Sequence, residues 1–323
     1  MYILKFHEIY KAPIWGGRKI AAYKGKQLDH EQLGESWEIS AVEGDVSVVA
    51  NGKDAGMTLQ ELIARDGARL VGNHVHQQFG TTFPLLIKFI DACDNLSIQV
   101  HPDDELARTR HNSFGKTEMW YVIDAEPDSG LFSGFSHPIT PAEYTTRVAN
   151  NTITDVLQFH KVQAGDVFYL PSGRIHAIGK GVFVAEIQQT SNITYRIYDY
   201  NRKDKEGNPR ELHTDMAREA IDFKMYDDLK TAYCPHRNEA VSLIDCKYFT
   251  TALLHLDTPC QRSVAQHDSF VVYMCLQGAV TITTEDGTST TLKQGETCLV
   301  PAAISHIVIT PTAEAKLLEV YVP

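Results

Sequence analysis

The sequence predicts a mainly β protein built from two β-barrel modules with small helical additions. Three observations predict it. Runs with period-two alternation of apolar residues outnumber helical ones, Gly, Pro, Asn and Asp turns separate them, and one motif near residue 165 returns near residue 295. Successive side chains of a strand point to opposite faces, so many short alternating runs bury one face each in a sandwich or barrel.

Taken in order, Thr58 caps a helix in "LQELIARDGARLVG", and "FPLLIKFIDA", "NLSIQVH" and "EMWYVID" alternate as strands. "TPAEYTTRVANNTITDVLQFHK", after Pro138, reads as a helical insertion. "DVFYLP", "GVFVAEIQQ" and "ITYRIYDY" return to strand, and "TDMAREAIDF" opens a short helix at Thr214. The polar "YCPHRNEAVS" around Pro235 reads as a linker, after which "FVVYMCLQG", "AVTITTE" and "KLLEVYV" supply more strands.

"GDVFYLPSGRIH" (Gly165 to His176) and "GETCLVPAAISH" (Gly295 to His306) share Gly, an acid, an apolar strand, Pro and His, with 11 residues from Gly to His in both. The echo predicts a long first module in residues 1–234 and a second copy in residues 235–323. In the second copy the position matching Glu118 is apolar, about Phe270, and no Gln-x-His precedes it. The second copy is expected to keep the shape and lose any chelate.

Composition narrows the function. A chain of 323 residues and 43% hydrophobic content accommodates two domains. The net charge of −11 excludes a broad basic footprint for nucleic acid, so an anionic ligand must be held by local cations. "MYILKFHEIYKAP" shows no cleavage site and no run of 18 apolar residues occurs, which predicts a soluble cytoplasmic protein with no membrane partner. The six cysteines form no CxxC pair and read as reduced packing residues.

The chemistry concentrates in "SIQVHPDDE". In an extended strand Gln99 and His101 share one face, and Leu96, Ile98 and Val100 the other. Glu118 opens the next strand, and a neighbouring antiparallel strand would bring its carboxylate beside His101. His176 ends the "YLPSGRIH" turn. Two imidazoles, a carboxylate and an amide oxygen suit a divalent ion with positions open to water or substrate. Asp103, Asp104 and Glu105, after Pro102, read as helix N-terminal or turn carboxylates and not as ligands.

"FPLLIKFIDACDNLSIQVHPDDELA", "GKTEMWYVID" and "GDVFYLPSGRIHAIGKGVFVAEIQQTSNITYRIYDYNR", with the earlier "WGGRKI" and "GESWEIS", resemble the short bacterial form of the type I mannose-6-phosphate isomerases, members of the cupin superfamily. The likeness runs from about Trp15 to Arg202, with a weaker cupin after it. It implies two cupin (jelly-roll) β-barrels and one Zn2+ per chain on Gln99, His101, Glu118 and His176. It places the active-site arginine on Arg196, the motif lysine on Lys116 and a pocket carboxylate on Glu186. Two positions depart from the family pattern. Gly115 stands where longer members carry histidine, and Arg202 stands where they carry lysine.

The implied activity is metal-dependent aldose–ketose isomerisation of mannose 6-phosphate and fructose 6-phosphate by proton transfer through a cis-enediolate. Arg196 would serve the developing oxyanion and Lys116 would bind anion or carry a proton, while Glu186 and a metal-bound water both stand as candidate bases. Lys88, Arg174 and Arg202 are the candidate phosphate ligands. Trp15, Trp37, Tyr195 and Tyr198 are candidate walls for the sugar, and Trp120 reads as core. A metal-dependent cupin oxygenase or decarboxylase, or a non-catalytic sugar-binding double cupin, is the alternative, because fold and ligand set do not dictate chemistry. Gln99 and the Lys/Arg pair favour the isomerase. The sequence does not specify an oligomeric state.

Overall fold

The computed structural model describes residues 1–28, 32–203 and 207–323. A six-stranded antiparallel sheet orders Ile9–Lys11, Glu35–Ile39, Leu85–Asp91, Val182–Gln189, Glu118–Ala125 and Val167–Leu170. It faces a five-stranded sheet of Tyr195–Tyr198, Ile98–Val100, His176–Ile178, Gly130–Phe135 and Leu157–Lys161. A second pair sets five strands (Ala240–Asp245, Thr250–Leu256, Ala315–Tyr321, Val271–Gln277, Thr297–Val300) against four (Cys260–Ser263, His306–Pro311, Ala279–Thr284, Ser289–Lys293). The expected barrels are therefore facing sheets in jelly-roll form; among the described residues no strand pairing closes either into one continuous sheet.

The strands that read as nearly continuous apolar runs do so because both faces are covered. Val182–Gln189 is buried at every position, as is Leu85–Asp91. Odd-numbered side chains (Ile87, Phe89, Met119, Tyr121, Phe183, Ala185, Ile187) pack against Phe270, Val272, Met274, Leu318 and Val320 of the second module in one shared core. Even-numbered ones (Ile90, Trp120, Val122, Val182, Val184) point between the first pair of sheets and meet Leu131 and Ile178. The second module fills its own interior with Val271, Tyr273, Cys275, Val280, Ile282 and Leu317. Ile3 lies in that same interior and Leu4 exchanges two backbone hydrogen bonds with Leu299, so the first residues of the chain cross the boundary expected at residue 234.

Helices cover the outer face of the five-stranded sheet, where Tyr144 and Ala217 pack on Ile98, Val100 and Ile197. Thr58 caps Leu59–Asp66 through a capping box with Glu61. The insertion after Pro138 is shorter than its polar pattern suggested. Thr140 caps a helix with proline in its first turn that ends at Ala149, and Leu157–Lys161 is already strand. The short helix opens at Thr214 as expected and runs Thr214–Ala220, with His213 as its N-cap residue. No helix among the described residues is long and apolar enough to cross a membrane.

The echo is structural as well as sequential. Gly165 (φ 93°) and Gly295 (φ 78°) occupy matching turns that demand glycine, and strands begin at His176 and His306. The two copies differ by one residue in which face looks inward. His176 and Ile178 face the interior, whereas in the second copy Ile307 and Ile309 do, leaving His306 exposed. Phe270 likewise belongs to the shared core, and its inward neighbour Val271 is the closer counterpart of Glu118.

Because the shared core joins both modules, they should unfold together. Phe270 is fully buried 4.5 Å from Phe83 between ring centroids. Phe270→Ala should cost about 3–5 kcal/mol and lower the midpoint reported by the fluorescence of Trp15, Trp37 and Trp120, all in the first module. A first-module midpoint unmoved by the substitution would contradict a common core.

Candidate metal centre

Antiparallel register brings the polar residues of the first module together. His176 pairs with Gln99 and Ser133, and Gln99 pairs with Arg196, so Arg196, Gln99 and His176 form one row across three strands of the five-stranded sheet. On the opposing sheet Glu186 pairs with Lys88 on one side and Trp120 on the other. Residues directly opposite in paired strands share a face, so each row projects as a unit. Glu118, two residues before Trp120, therefore meets His101 and His176 across the space between the sheets and not, as expected, from a strand beside His101. Leu96 lies outside the regular strand and joins the inner cluster, parting from Ile98 and Val100.

The turn before His176 needs Gly173 at φ 86°, and Gly173 N–H donates to the His101 carbonyl, tying the two histidine segments together. Both rings are buried with centroids 4.8 Å apart. His101 Nδ1 donates to the Ile193 carbonyl at 2.9 Å and His176 Nδ1 to the Arg174 carbonyl at 2.8 Å. Each bond fixes the tautomer and leaves the Nε2 lone pair free to bind. The two Nε2 atoms stand 3.5 and 3.2 Å from the Glu118 oxygens. One ligand atom from each of His101, Glu118 and His176 lies within 4.8 Å of the others. The Gln99 amide reaches His176 Nε2 at 3.4 Å, and half a turn of that amide exchanges its nitrogen and oxygen.

This donor set fits a divalent cation. Glu118 Oε1 is buried without a hydrogen-bond donor, facing an imidazole lone pair that cannot supply one. Burial opposes the charge on Glu118, yet the Lys116 ammonium, 2.7 Å from Oε2, holds its carboxyl well below the usual range. Burial and Lys116 both hold the His101 imidazole well below its ordinary value of 6.5, which keeps Nε2 available as a ligand. Lys116 Nζ also donates to His101 Nε2 at 3.0 Å.

A cavity of about 190 Å³ opens beside this cluster. Gln99, Lys116, Lys88, Glu186 and Arg196 line it. Lys88 Nζ bridges Glu186 (3.1 Å) and Glu35 (3.3 Å), and Trp120 Nε1 donates to Glu186 at 2.8 Å. Burial works against the Lys88 charge, but Glu35 and Glu186 raise its pKa, while Lys88 lowers that of Glu35 against the same burial. Arg196 donates to the Glu211 carbonyl at 2.8 Å, and its Nε–H is buried without an acceptor. Burial and the neighbouring Arg210 both pull its pKa down, which marks a cation short of anionic partners.

Two expected substrate residues do not reach the cavity. Arg174 stacks its guanidinium 4.4 Å over Tyr226 and serves the centre only through the carbonyl that orients His176. Arg202 turns to Asp199, Asp94 and the Asn95 carbonyl. Sequence reasoning missed Arg210 and Glu35, both cavity residues. Glu35 lies in "GESWEIS", where its spacing from Trp37 marks a shared strand face; Arg210 sits in the loop "GNPRELH", where nothing periodic marks it. Of the candidate sugar walls only Trp15 lines the cavity; Tyr195 and Tyr198 pack outward under the helices. Trp120 is core, with its indole edge at the cavity.

Residues 3–128 match the model of the phosphomannose isomerase type I catalytic domain, and residues 239–322 that of the mannose-6-phosphate isomerase cupin domain. The chain is 38% identical over 279 residues to mannose-6-phosphate isomerase ManA of Bacillus subtilis (strain 168), covering 85% of each chain. It is 34% identical over 292 residues to a mannose-6-phosphate isomerase of Streptococcus mutans serotype c, covering 90% of each. Its fold matches the crystal structure of mannose 6-phosphate isomerase from Bacillus subtilis with a TM-score of 0.89 and 30% identity over 99% of both chains. With the catalytic and cupin models both matched and relatives aligned over most of its length, the chain belongs to the type I mannose-6-phosphate isomerase family.

Proposed function

We infer that the chain is an aldose–ketose isomerase interconverting mannose 6-phosphate and fructose 6-phosphate, with the first module catalytic and residues 235–323 a cupin without metal. The observation that carries this reading is the convergence of a buried His–Glu–His cluster with the half-buried Gln99 and an under-neutralised arginine at one cavity. Gln99, His101, Glu118 and His176 would hold one Zn2+, which would supply a Lewis acid for the sugar oxygens. Lys88, Lys116, Arg196 and Arg210 set four cations against the carboxylates of Glu35, Glu118, Glu186 and, holding Arg210, Asp199. A divalent ion makes that balance positive by the two charges a phosphate dianion carries, in a protein of net charge −11.

Arg196 and Arg210, adjacent at the cavity, replace Arg174 and Arg202 as the anion-binding pair. Lys116 donates to Glu118 Oε2 and to His101 Nε2; with His101 Nε2 serving as a metal ligand, the second of these N–H groups would be available to substrate while the first stays on Glu118. Glu186, held on one oxygen by Trp120 and beside Lys88 on the other, flanks the same space. The proton moving between C1 and C2 passes through Lys116, Glu186 or solvent held between them, and substitution distinguishes these routes.

His101→Ala or His176→Ala should release zinc and activity together, whereas Arg196→Ala should retain zinc and lose at least about a hundredfold in kcat; metal analysis with a coupled fructose 6-phosphate assay measures both. Near-full activity in Arg196→Ala refutes its role. Oxygen uptake on iron loading, or saturable sugar binding without turnover, would favour the oxygenase or binding-module alternative. Glu186→Gln should abolish solvent deuterium exchange at C2 if Glu186 is the base, and Lys116→Met if the lysine is.

The cavity ion pairs also predict a pH dependence. Glu35 titrates in the folded chain below its ordinary 4.5, so its contribution to stability is complete above pH 4.5 and lost as pH falls through the lower folded value. Lys88→Met should destabilise the protein by about 3 kcal/mol near neutrality. Thermal denaturation should show that difference shrinking below pH 4.5, and a constant difference down to pH 3 would contradict the pairing.

A further inference from the structure

The segment leading Lys116 into Glu118 is held from behind by groups that do not line the cavity. Asp104 Oδ1 accepts from the Gly115 N–H (3.1 Å) and from the Gln189 amide (2.9 Å), and Gln189 Oε1 accepts from the Thr117 N–H (2.8 Å). Lys116 N–H donates to the Pro102 carbonyl at 3.2 Å. All three consecutive backbone donors are thus held by acceptors outside the donor cluster. The other oxygen of Asp104 accepts from the Tyr248 hydroxyl at 2.6 Å, and Tyr248 belongs to the second module. Gly115, one of the two positions that depart from the family pattern, is part of the same packing. A Cβ there would stand 2.7 Å from Asp103 C and Asp104 N, so the backbone lies against the helix start more closely than any side chain permits.

Asp104 carries two roles that its place at a helix start does not suggest. Asp103 already caps the helix by accepting from Leu106 N–H at 2.8 Å, which leaves both Asp104 oxygens for the Gly115 segment and Tyr248. Charged acceptors make stronger hydrogen bonds than neutral ones, and linked bonds polarise one another. Burial raises the Asp104 pKa, but Tyr248, Gln189 and Gly115 outweigh it and keep the group an acceptor at neutral pH.

We propose that Asp104, Gln189 and Tyr248 form a positioning clamp for residues 115–118, through which the second module sets the placement of the Lys116 ammonium and the Glu118 carboxylate. The kinetic side of this proposal rests on the isomerase reading; its metal side rests on the donor cluster alone. Groups that orient metal ligands typically matter about tenfold or more to affinity or rate when removed.

The test compares Asp104→Ala, Tyr248→Phe, their double variant and the control Lys247→Ala, whose exposed ammonium lies 3.6 Å from Asp104 Oδ2. Each full-length protein is measured for zinc retention against a chelator, for kcat and KM with mannose 6-phosphate, and for Tm. Asp104→Ala should weaken zinc retention and lower kcat by about tenfold each, with KM within about twofold. Tyr248→Phe should act in the same direction by about threefold, the double variant should be no worse than Asp104→Ala, and Lys247→Ala should match the parent. Variants that lose Tm yet keep parental zinc retention and kcat, or that multiply their effects in the double, overturn the clamp. Should Asp104→Ala not fold, Tyr248→Phe, which deletes a single oxygen, decides alone. A parent protein that binds zinc without turning over mannose 6-phosphate refutes the isomerase reading and leaves the clamp to the zinc measurement.

Discussion

Pairing of buried charge is the constraint from which the rest of this structure follows. The space between the first two sheets holds Lys88, Glu186, Lys116, Glu118 and two histidines, all nearly inaccessible to water. Isolated, each charge would cost several kcal/mol to bury. Each is tolerable because antiparallel register sets it beside a complement: Lys88 directly opposite Glu186, and Lys116 two residues along the same face from Glu118. The arrangement is accurate because side chains on paired strands cannot drift relative to one another by less than a full register step.

The same constraint explains why a second module without a chelate belongs here. A sheet whose front face gives positions to polar chemistry has only the rest of that face, here Ile90, Trp120, Val122, Val182 and Val184, for hydrophobic stabilisation. The six-stranded sheet adds to it from its back, where Ile87, Phe89, Met119, Tyr121 and Ile187 meet the second module in a shared core. Within one strand, even positions carry the site beside an apolar cluster of their own, and odd positions pack into the core shared with the second module. Glu118 and Met119 are adjacent residues with opposite duties. Rigid ligand placement and a large apolar interface are thus two faces of one sheet.

Much of this was legible in the sequence, and the illegible parts have a common cause. Local signals read correctly: alternation found the strands that carry Gln99, Glu118, Glu186 and Arg196, and Thr58 announced its capping box. Relations between strands did not read. Nothing local says that Glu118 faces His101 from the opposing sheet instead of an adjacent strand, or that the second copy turns His306 outward by one residue. Residues two apart in a strand share a face, which makes Arg174 a reasonable anion ligand beside His176, yet the strand begins only at His176 and the turn at Gly173 carries Arg174 away to Tyr226. Arg210 lies in a loop, where placement depends on tertiary contact with Asp199 and not on any period.

Charge provides the last step. An acidic chain repels phosphate at a distance, so the ligand must be drawn by a field confined to the cavity, and low-dielectric walls confine it. Asp199 gathers Arg202 and Arg210 on one carboxylate at the rim. It pairs with both of them, with Arg210 through two nitrogens, while Arg196 keeps a buried N–H without an acceptor. Arg196 and Arg210 both line the cavity, and of the two Arg196 keeps the donor that no group of the protein satisfies. A neutral sugar offers that arginine only weak acceptors in place of the water it has lost, whereas an anion restores a charge-assisted hydrogen bond.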